Sequence, residues 1–474
     1  MKKFFCSVLA LVLSAAAVGC NDKKKPESEE EDIPVMTDTL GDNTKEDTGT
    51  VGFSEFSDSD FKTINVTVRD ADGEAPVSVK RIDLSGVVIE DKVPVCYNAE
   101  NVEEYVKKHN TYYYTSEDGV TRSYMYVDPE DEEGGIPLYD WHDFLDKPVK
   151  GYIEDCYVRG NDCFIYVMYQ VPLSASCYDH AVFRYDTESG ETEEVYSWSA
   201  ANINETTDGN CLFTENAVFL VYYNIIQEDS PRTVGATVKR LDLDTKEIKT
   251  VFEGNDYISS ASFMCDKDGS VYFNKQEEND SDQSSVNVYK YDEESGKFGK
   301  VDEIVVSDEV KANIISNGKR YSLVKPEGKR KLDMVCDNYR IGTDVTNAGI
   351  VYADDECFVL QNDEQLNVYN IVKKEHYVLD VSRLGQKAVM SDGKLFIGLG
   401  DASFEKPLYC VIPELGLTYK VLESGIYDDI KCINGKVCFN GRHRETVEYK
   451  SDDGLNEITH QFDVIDSAYV TVSR

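Results

Sequence analysis

The sequence predicts an all-β fold, a β-propeller of four-stranded antiparallel blades, on three observations. Strand formers are abundant: the 474-residue chain holds 31 tyrosines and 19 phenylalanines, with valine and isoleucine common among them. An apolar hairpin with a polar turn recurs along the chain between Gly151 and Asp466. A second hairpin follows each first one, so each period supplies four strands.

The first hairpin is clearest where Cys156-Tyr157-Val158 and Phe164-Ile165-Tyr166 flank the turn residues Gly160-Asn161. It recurs around Thr214-Glu215-Asn216, Asp268-Gly269, Asn317-Gly318, Asp354-Asp355, Asp392-Gly393 and Asn434-Gly435. Asn-Gly and Asp-Gly adopt the turns whose twist matches paired strands. The second element is a strand ending in Tyr-Asp or a relative, then a polar turn and another strand. Val182–Gly190, Val238–Asp244 and Val288–Gly296 carry it, with weaker copies at Leu332-Asp333, Val368-Tyr369-Asn370, Tyr409-Cys410-Val411 and Val447-Glu448-Tyr449. The period is roughly 37 to 55 residues, the length of a propeller blade. A lone sheet has two faces to bury, and stacking around an axis covers both. Tandem two-sheet sandwiches need units nearer ~100 residues. The expectation is seven blades, with six or eight allowed.

These repeats resemble the bacterial extracellular propellers with Tyr-Asp-x-x-Ser/Thr-Gly turns. They are loosely similar to the propeller parts of TolB-like and quinoprotein-like proteins. The resemblance covers the repeat region and implies blades, not an activity. The tryptophan that ends the quinoprotein docking pattern is not carried through, since Trp141 and Trp198 are the only tryptophans.

The N-terminus shows where the protein works. Met1-Lys2-Lys3 is basic, Phe4 to Val18 is apolar, and Gly19-Cys20 ends the run. That pattern is a secretory signal peptide, and the run falls short of the about 20 apolar residues a membrane span needs. Ala17-Val18-Gly19-Cys20 resembles the lipobox of bacterial lipoproteins, with Ala17 where that family usually has leucine. The resemblance implies acylation of Cys20, now the first mature residue, and attachment to a membrane facing the extracytoplasmic side. Multiple acyl chains anchor stably where one is marginal.

The domain reading follows in order. Residues 1–19 are the signal, and 20–60 are the lipidated cysteine and an acidic tether too polar to fold. Residues 61–150 form an irregular β-rich region, a partial or extra blade, with strands at Ile64–Val68 and Val87–Ile89 and a short helix over Ala99–Lys108. Residues 151–474 form the propeller. The C-terminal strand Ala468–Val472 is free to pair with an N-terminal one and remove an open edge.

Charge narrows the partners. With 89 acidic and 49 basic residues the net charge is −40. Such a field repels nucleic acid and anionic lipid headgroups, leaving the acyl group as the membrane attachment. Thirteen cysteines include Cys6 in the signal and Cys20, so an odd number remains. Cys156 with Cys163, and Cys432 with Cys438, flank hairpin turns and are candidate disulfides in an exported chain. The other cysteines in strands read as small buried hydrophobes.

No catalytic motif stands out. Gly-x-Ser-x-Gly, the phosphate-binding loop and the dinucleotide fingerprint are absent, and no His-Glu-x-x-His occurs. Asp70-Ala71-Asp72-Gly73 and Asp266-Lys267-Asp268-Gly269 hint at calcium, but Arg81 and Val271 break the loop pattern, so both read as turns. The sequence therefore assigns no catalytic residue, metal or cofactor. Tyr112, Tyr113, Tyr114, Trp141 and Trp198 are the aromatic candidates for binding a sugar or peptide. The expected function is a monomeric, anchored binding or scaffold protein for a protein, peptide or glycan. A polysaccharide hydrolase or lyase and an envelope assembly factor are the alternatives.

Overall fold

The computed structural model describes residues 54–93, 111–115, 121–125 and 148–473, apart from short stretches within the last range. Four strands precede the repeats: β1 (Ser54–Phe56), β2 (Lys62–Val66), β3 (Arg69–Asp70) and β4 (Val77–Asp83). A separate hairpin joins β5 (Thr111–Thr115) and β6 (Thr121–Met125). The predicted helix at Ala99–Lys108 lies outside the described residues.

Sheet 1 contains β7 (Tyr152–Arg159), β8 (Asp162–Gln170), β9 (Tyr178–Asp186) and β10 (Thr192–Trp198). Sheet 2 contains β11 (Glu205–Phe213), β12 (Ala217–Ile226), β13 (Arg232–Asp242) and β14 (Ile248–Gly254). Sheet 3 contains β15 (Phe263–Cys265), β16 (Val271–Glu278), β17 (Ser284–Asp292) and β18 (Lys297–Val305). Sheet 4 contains β19 (Glu309–Ser316), β20 (Lys319–Lys325), β21 (Asp333–Cys336) and β22 (Tyr339–Gly342). Sheet 5 contains β23 (Gly349–Ala353), β24 (Cys357–Gln361), β25 (Gln365–Asn370) and β26 (Glu375–Asp380). Then follow β27 (Lys387–Ser391), β28 (Lys394–Gly398), β29 (Lys406–Ile412), β30 (Leu417–Ile433), β31 (Lys436–Lys450) and β32 (Glu457–Ser473). Because β30 is long it serves twice: its first part ends sheet 6 (β27–β30) and its second part begins sheet 7 (β30, β31, β32 and β4).

Every predicted first-element hairpin is present as the first two strands of a sheet. Their partners run antiparallel around the expected turns, as in Val158 opposite Cys163 and Ile433 opposite Lys436. Second strands are buried on both faces, with Cys163 to Met168 and Phe358 to Leu360 all inside. That continuous burial explains why these strands are apolar throughout rather than alternating. Each sheet is covered on both sides by its neighbours.

The Tyr-Asp-x-x-Ser/Thr-Gly motif has a structural cause. Asp186 Oδ1 accepts the backbone N–H groups of Glu188 at 2.8 Å and Ser189 at 3.0 Å. Asp242 and Asp292 accept the equivalent N–H groups in their own turns. The bonds from Ser189 and Glu188 hold the Asp186 carboxyl below its ordinary range. Gly190 and Gly296 close two of these turns with φ of 75° and 65°, where a side chain would be strained.

First strands of successive sheets lie side by side: β7 against β11, β15 against β19, β19 against β23, and β23 against β27. Sheets 2 and 3 share one apolar cluster, including Phe219, Phe273 and Phe298. Strands β31 and β32 return against β7, so the array closes into a propeller. The closing strand is N-terminal. β4 pairs antiparallel with β32 from Val77 opposite Ser473 to Asp83 opposite Ser467.

The segment before β4 follows an unexpected path. β1 pairs parallel with β22, β2 with β26, and β3 with the start of β30. Residues Ser54–Asp70 thus form a strap along the outer edges of sheets 4, 5 and 6. The expected strand at Val87–Ile89 is irregular. Val87 N–H bonds back to Leu84 O at 3.0 Å, Val87 and Ile89 pack on the sheet 1 core, and Val88 is exposed.

Gly416 makes room for the strap. Its φ is 61°, and a Cβ there would lie 2.5 Å from Thr67 O and 2.6 Å from Val66 Cγ1. Gly416→Ala is therefore expected to destabilise by more than about 1 kcal/mol and to loosen the strap. Faster limited proteolysis within residues 62–70, against unchanged cleavage elsewhere, would show it.

Candidate functional site

Antiparallel alternation gives the propeller two unlike ends. The turns between first and second strands, and between third and fourth, all lie at one end. Connections from second to third strands, and from sheet to sheet, lie at the other, here called the loop end. The connection from Leu84 to Gly151 joins β4 to β7 at the loop end. It carries β5, and with it Tyr112, Tyr113 and Tyr114. Trp141 belongs to the same connection but lies outside the described residues. The β31–β32 hairpin also extends past its neighbours at this end. Its pairing continues from Arg444 opposite Asp463 to Lys450 opposite Glu457, beyond the reach of β30 and β4.

Trp198, the last residue of β10, is at the loop end too. Its indole stacks on His180 with ring centroids 5.3 Å apart and planes at 24°. Register explains the contact: Met168, His180 and Trp198 sit opposite one another across β8, β9 and β10. Tyr222 from β12 closes the group from sheet 2, edge-on to Trp198 at 4.9 Å. A hydrogen-bonded chain runs from Tyr196 Oη to Tyr222 Oη at 3.3 Å and on to His180 Nε2 at 3.3 Å. His180 is 0% exposed, and its Nδ1 has no hydrogen-bond partner among the described residues. Burial, then the charges of Lys239 and Lys92, pull its pKa down to about 3. The imidazole is neutral, and Lys239 Nζ lies 4.4 Å over the Tyr222 ring. Trp198 thus has one face committed to packing while the residue stays half-buried.

A second cluster lies where sheet 7 meets sheet 1. Asp155 on β7 is buried, and its Oδ2 accepts from Lys431 Nζ at 2.6 Å. Its Oδ1 accepts from Asn440 Nδ2 at 3.2 Å and from the Cys156 N–H at 2.9 Å. The Cys156 thiol in turn donates to Asn440 Oδ1 at 2.9 Å. Asp155 and the Cys156 thiol are thus matched by Lys431 and Asn440 across the closing junction. The arrangement joins the two ends of the repeat region in space. Arg442 adds a bond to Glu154 O at 3.3 Å.

The nine described cysteines are free thiols. The register gives the reason for Cys432 and Cys438. Cys432 is opposite Val437 and Cys438 is opposite Lys431, so the two cysteines point to opposite faces of the sheet. Cys156 and Cys163 share a face but are diagonal, with Ile165 and Val158 as their direct partners. The hydrogen bond with the Cys163 thiol, and burial, push the Cys156 thiol well up.

Sequence reasoning missed His180, Asp155, Lys431 and Asn440. His180 and His376 are buried strand residues on β9 and β26. Asp155 left one signal, a second charge directly after Glu154 and before the apolar run Cys156-Tyr157-Val158 of a first strand. Asp266, from the second acidic run, is a buried turn residue that accepts the Gly318 N–H at 2.7 Å. Among the described residues no three His, Cys, Asp or Glu side chains are placed to hold a metal ion.

No family model and no curated protein matches this chain. Solved structures do. The β-propeller domain of the trilobed protease from Pyrococcus furiosus aligns at 13% identity over 66% of this chain and 95% of that one, with a TM-score of 0.41. Acylaminoacyl peptidase from Pyrococcus horikoshii aligns at 12% identity over 66% of this chain, with a TM-score of 0.40, and this chain spans 57% of its length. TolB from Acinetobacter baumannii aligns at 12% identity over 64% and 81%, with a TM-score of 0.31. The fold rests on the strand pairing itself.

Proposed function

We propose that this chain is a lipid-anchored, extracytoplasmic binding or scaffold protein, a seven-bladed propeller that captures a protein, peptide or glycan at its loop end. One observation carries the reading. The half-buried Trp198 wall, the projecting β31–β32 hairpin and the connection bearing Tyr112, Tyr113 and Tyr114 all arise at that end. Loops on a rigid frame are where recognition concentrates, and aromatic side chains supply large contact area at low entropic cost.

Cys20 takes the lipid. The acidic field favours neither nucleic acid nor anionic headgroups, so the acyl group makes the membrane contact.

Two measurements test the proposal. The chain from Asn21 onward is used as bait in a pull-down and on a glycan array, where a Trp198→Ala variant is expected to bind at least ~10-fold more weakly, the loss of an aromatic anchor. No ligand in either assay, together with turnover of a polysaccharide, would replace recognition with hydrolase or lyase activity. Cys20→Ala is expected to move the protein from the membrane to the soluble fraction. A variant that still sediments with membranes would remove the anchor from the proposal.

A further inference from the structure

An outermost strand offers unpaired N–H and C=O groups, and a flat one invites pairing with another chain. In this propeller the outermost strands fall into two kinds. β10, β14 and β18 each carry one extra residue against the third strand, at Val195, Val251 and Val301. β30 carries one at Val421 and a second between Leu422 and Gly425. Such bulges twist an edge and spoil it as a template. β22 and β26 pair with their neighbours without any shift. Those two straight edges are the ones that β1 and β2 cover along their length. On β30, β3 covers only Leu417 and Thr418, before both bulges. β4 is straight and has no strand beyond it among the described residues, but Lys80 and Arg81 stand in its middle, and charge guards an edge as a bulge does.

The strap is held by side chains as well as by its ladders. Phe61 is buried edge-on against Tyr369 at 5.4 Å, and Ile64 and Val66 pack into the cluster around Leu379. Asp58 Oδ1 accepts from Tyr369 Oη at 3.2 Å.

We infer that Ser54–Asp70 is a built-in edge guard, and that the surface it covers pairs with a second copy of this chain when the strap is absent. The contact is β26 against β26 of the other copy, antiparallel about a twofold axis. A twofold is the symmetry by which one edge strand pairs with itself. β26 is the longer of the two straight edges, at six residues against four for β22. The inference concerns the outer edges and does not depend on what binds at the loop end.

The test is the molar mass of the full mature chain with Ser54–Asp70 deleted, measured by light scattering beside the intact chain. The intact chain is expected to be a monomer and the deletion to double the mass. Val378→Lys, which puts a charge on the β26 edge, is expected to return the deleted chain to a monomer. If the deletion precipitates, solubility restored by Val378→Lys supports the same conclusion. A deleted chain that stays monomeric overturns it. So does a dimer that Val378→Lys leaves intact, and so does a deleted chain that is unfolded with or without that substitution.

Discussion

Asp155→Ala is expected to lower the unfolding free energy by about 3 kcal/mol, the lower end of what breaking a buried ion pair costs. The substitution leaves Lys431 and Asn440 without their shared acceptor where sheet 7 closes on sheet 1. The full penalty is not reached because the Lys431 side chain is 34% exposed and regains some water. Asp155→Asn keeps an acceptor and is expected to cost nearer ~1 kcal/mol, the worth of a weakened hydrogen bond. Chemical denaturation resolves the two, as a lower midpoint with the slope unchanged. Equal midpoints for Asp155→Ala and the intact chain would mean that closure rests on the β4–β32 ladder alone.

Acid is expected to weaken the fold through His180, beginning well above the pH where carboxylates titrate. The sign follows from the shift. The free imidazole titrates at 6.5, while burial holds the folded one near 3. Falling pH therefore protonates the unfolded chain first, and stability drains as pH drops from 6.5 toward 3. The slope is about 1.4 kcal/mol per pH unit, so about 2 kcal/mol is gone by pH 5. His376, whose pKa is also lowered by burial, adds in the same direction. His180→Phe keeps the stack on Trp198 and removes the titration. Its stability is expected to fall less steeply between pH 6.5 and 5 than that of the intact chain. Parallel pH profiles for the two proteins would show that His180 does not carry the effect.

Much of this fold was legible in the sequence, and for a local reason. Hairpin turns and strand alternation are decided by residues near in the chain. Gly160-Asn161, Asp392-Gly393 and Asn434-Gly435 all turn where the sequence placed them. The Asp of the Tyr-Asp turns bonds to backbone only two or three residues on, so its role is written in the motif. The segment before residue 84 was harder. Ile64–Val66 reads as a strand, but nothing in those residues says that the partner is β26, more than 300 positions later. Val87–Ile89 reads as a strand and is not one, because its packing on sheet 1 and not its propensity decides its shape.

The candidate sites show the same division more sharply. Trp198 was visible as a candidate because tryptophan is rare here and large. His180 was not, since its burial comes from register across three strands and from Tyr222 on the next sheet. Asp155 meets Lys431 and Asn440 across almost the whole length of the repeat region. Taken alone, the sequence determined the repeat, the strand count per repeat and the turn chemistry, which depend on short-range backbone preferences and the apolar pattern. Tertiary structure alone decided which N-terminal strands close or guard which sheets, and which polar groups become buried partners. Those outcomes depend on the ring bringing distant edges together, where desolvation makes each unmatched donor or acceptor costly and so selects the pairing.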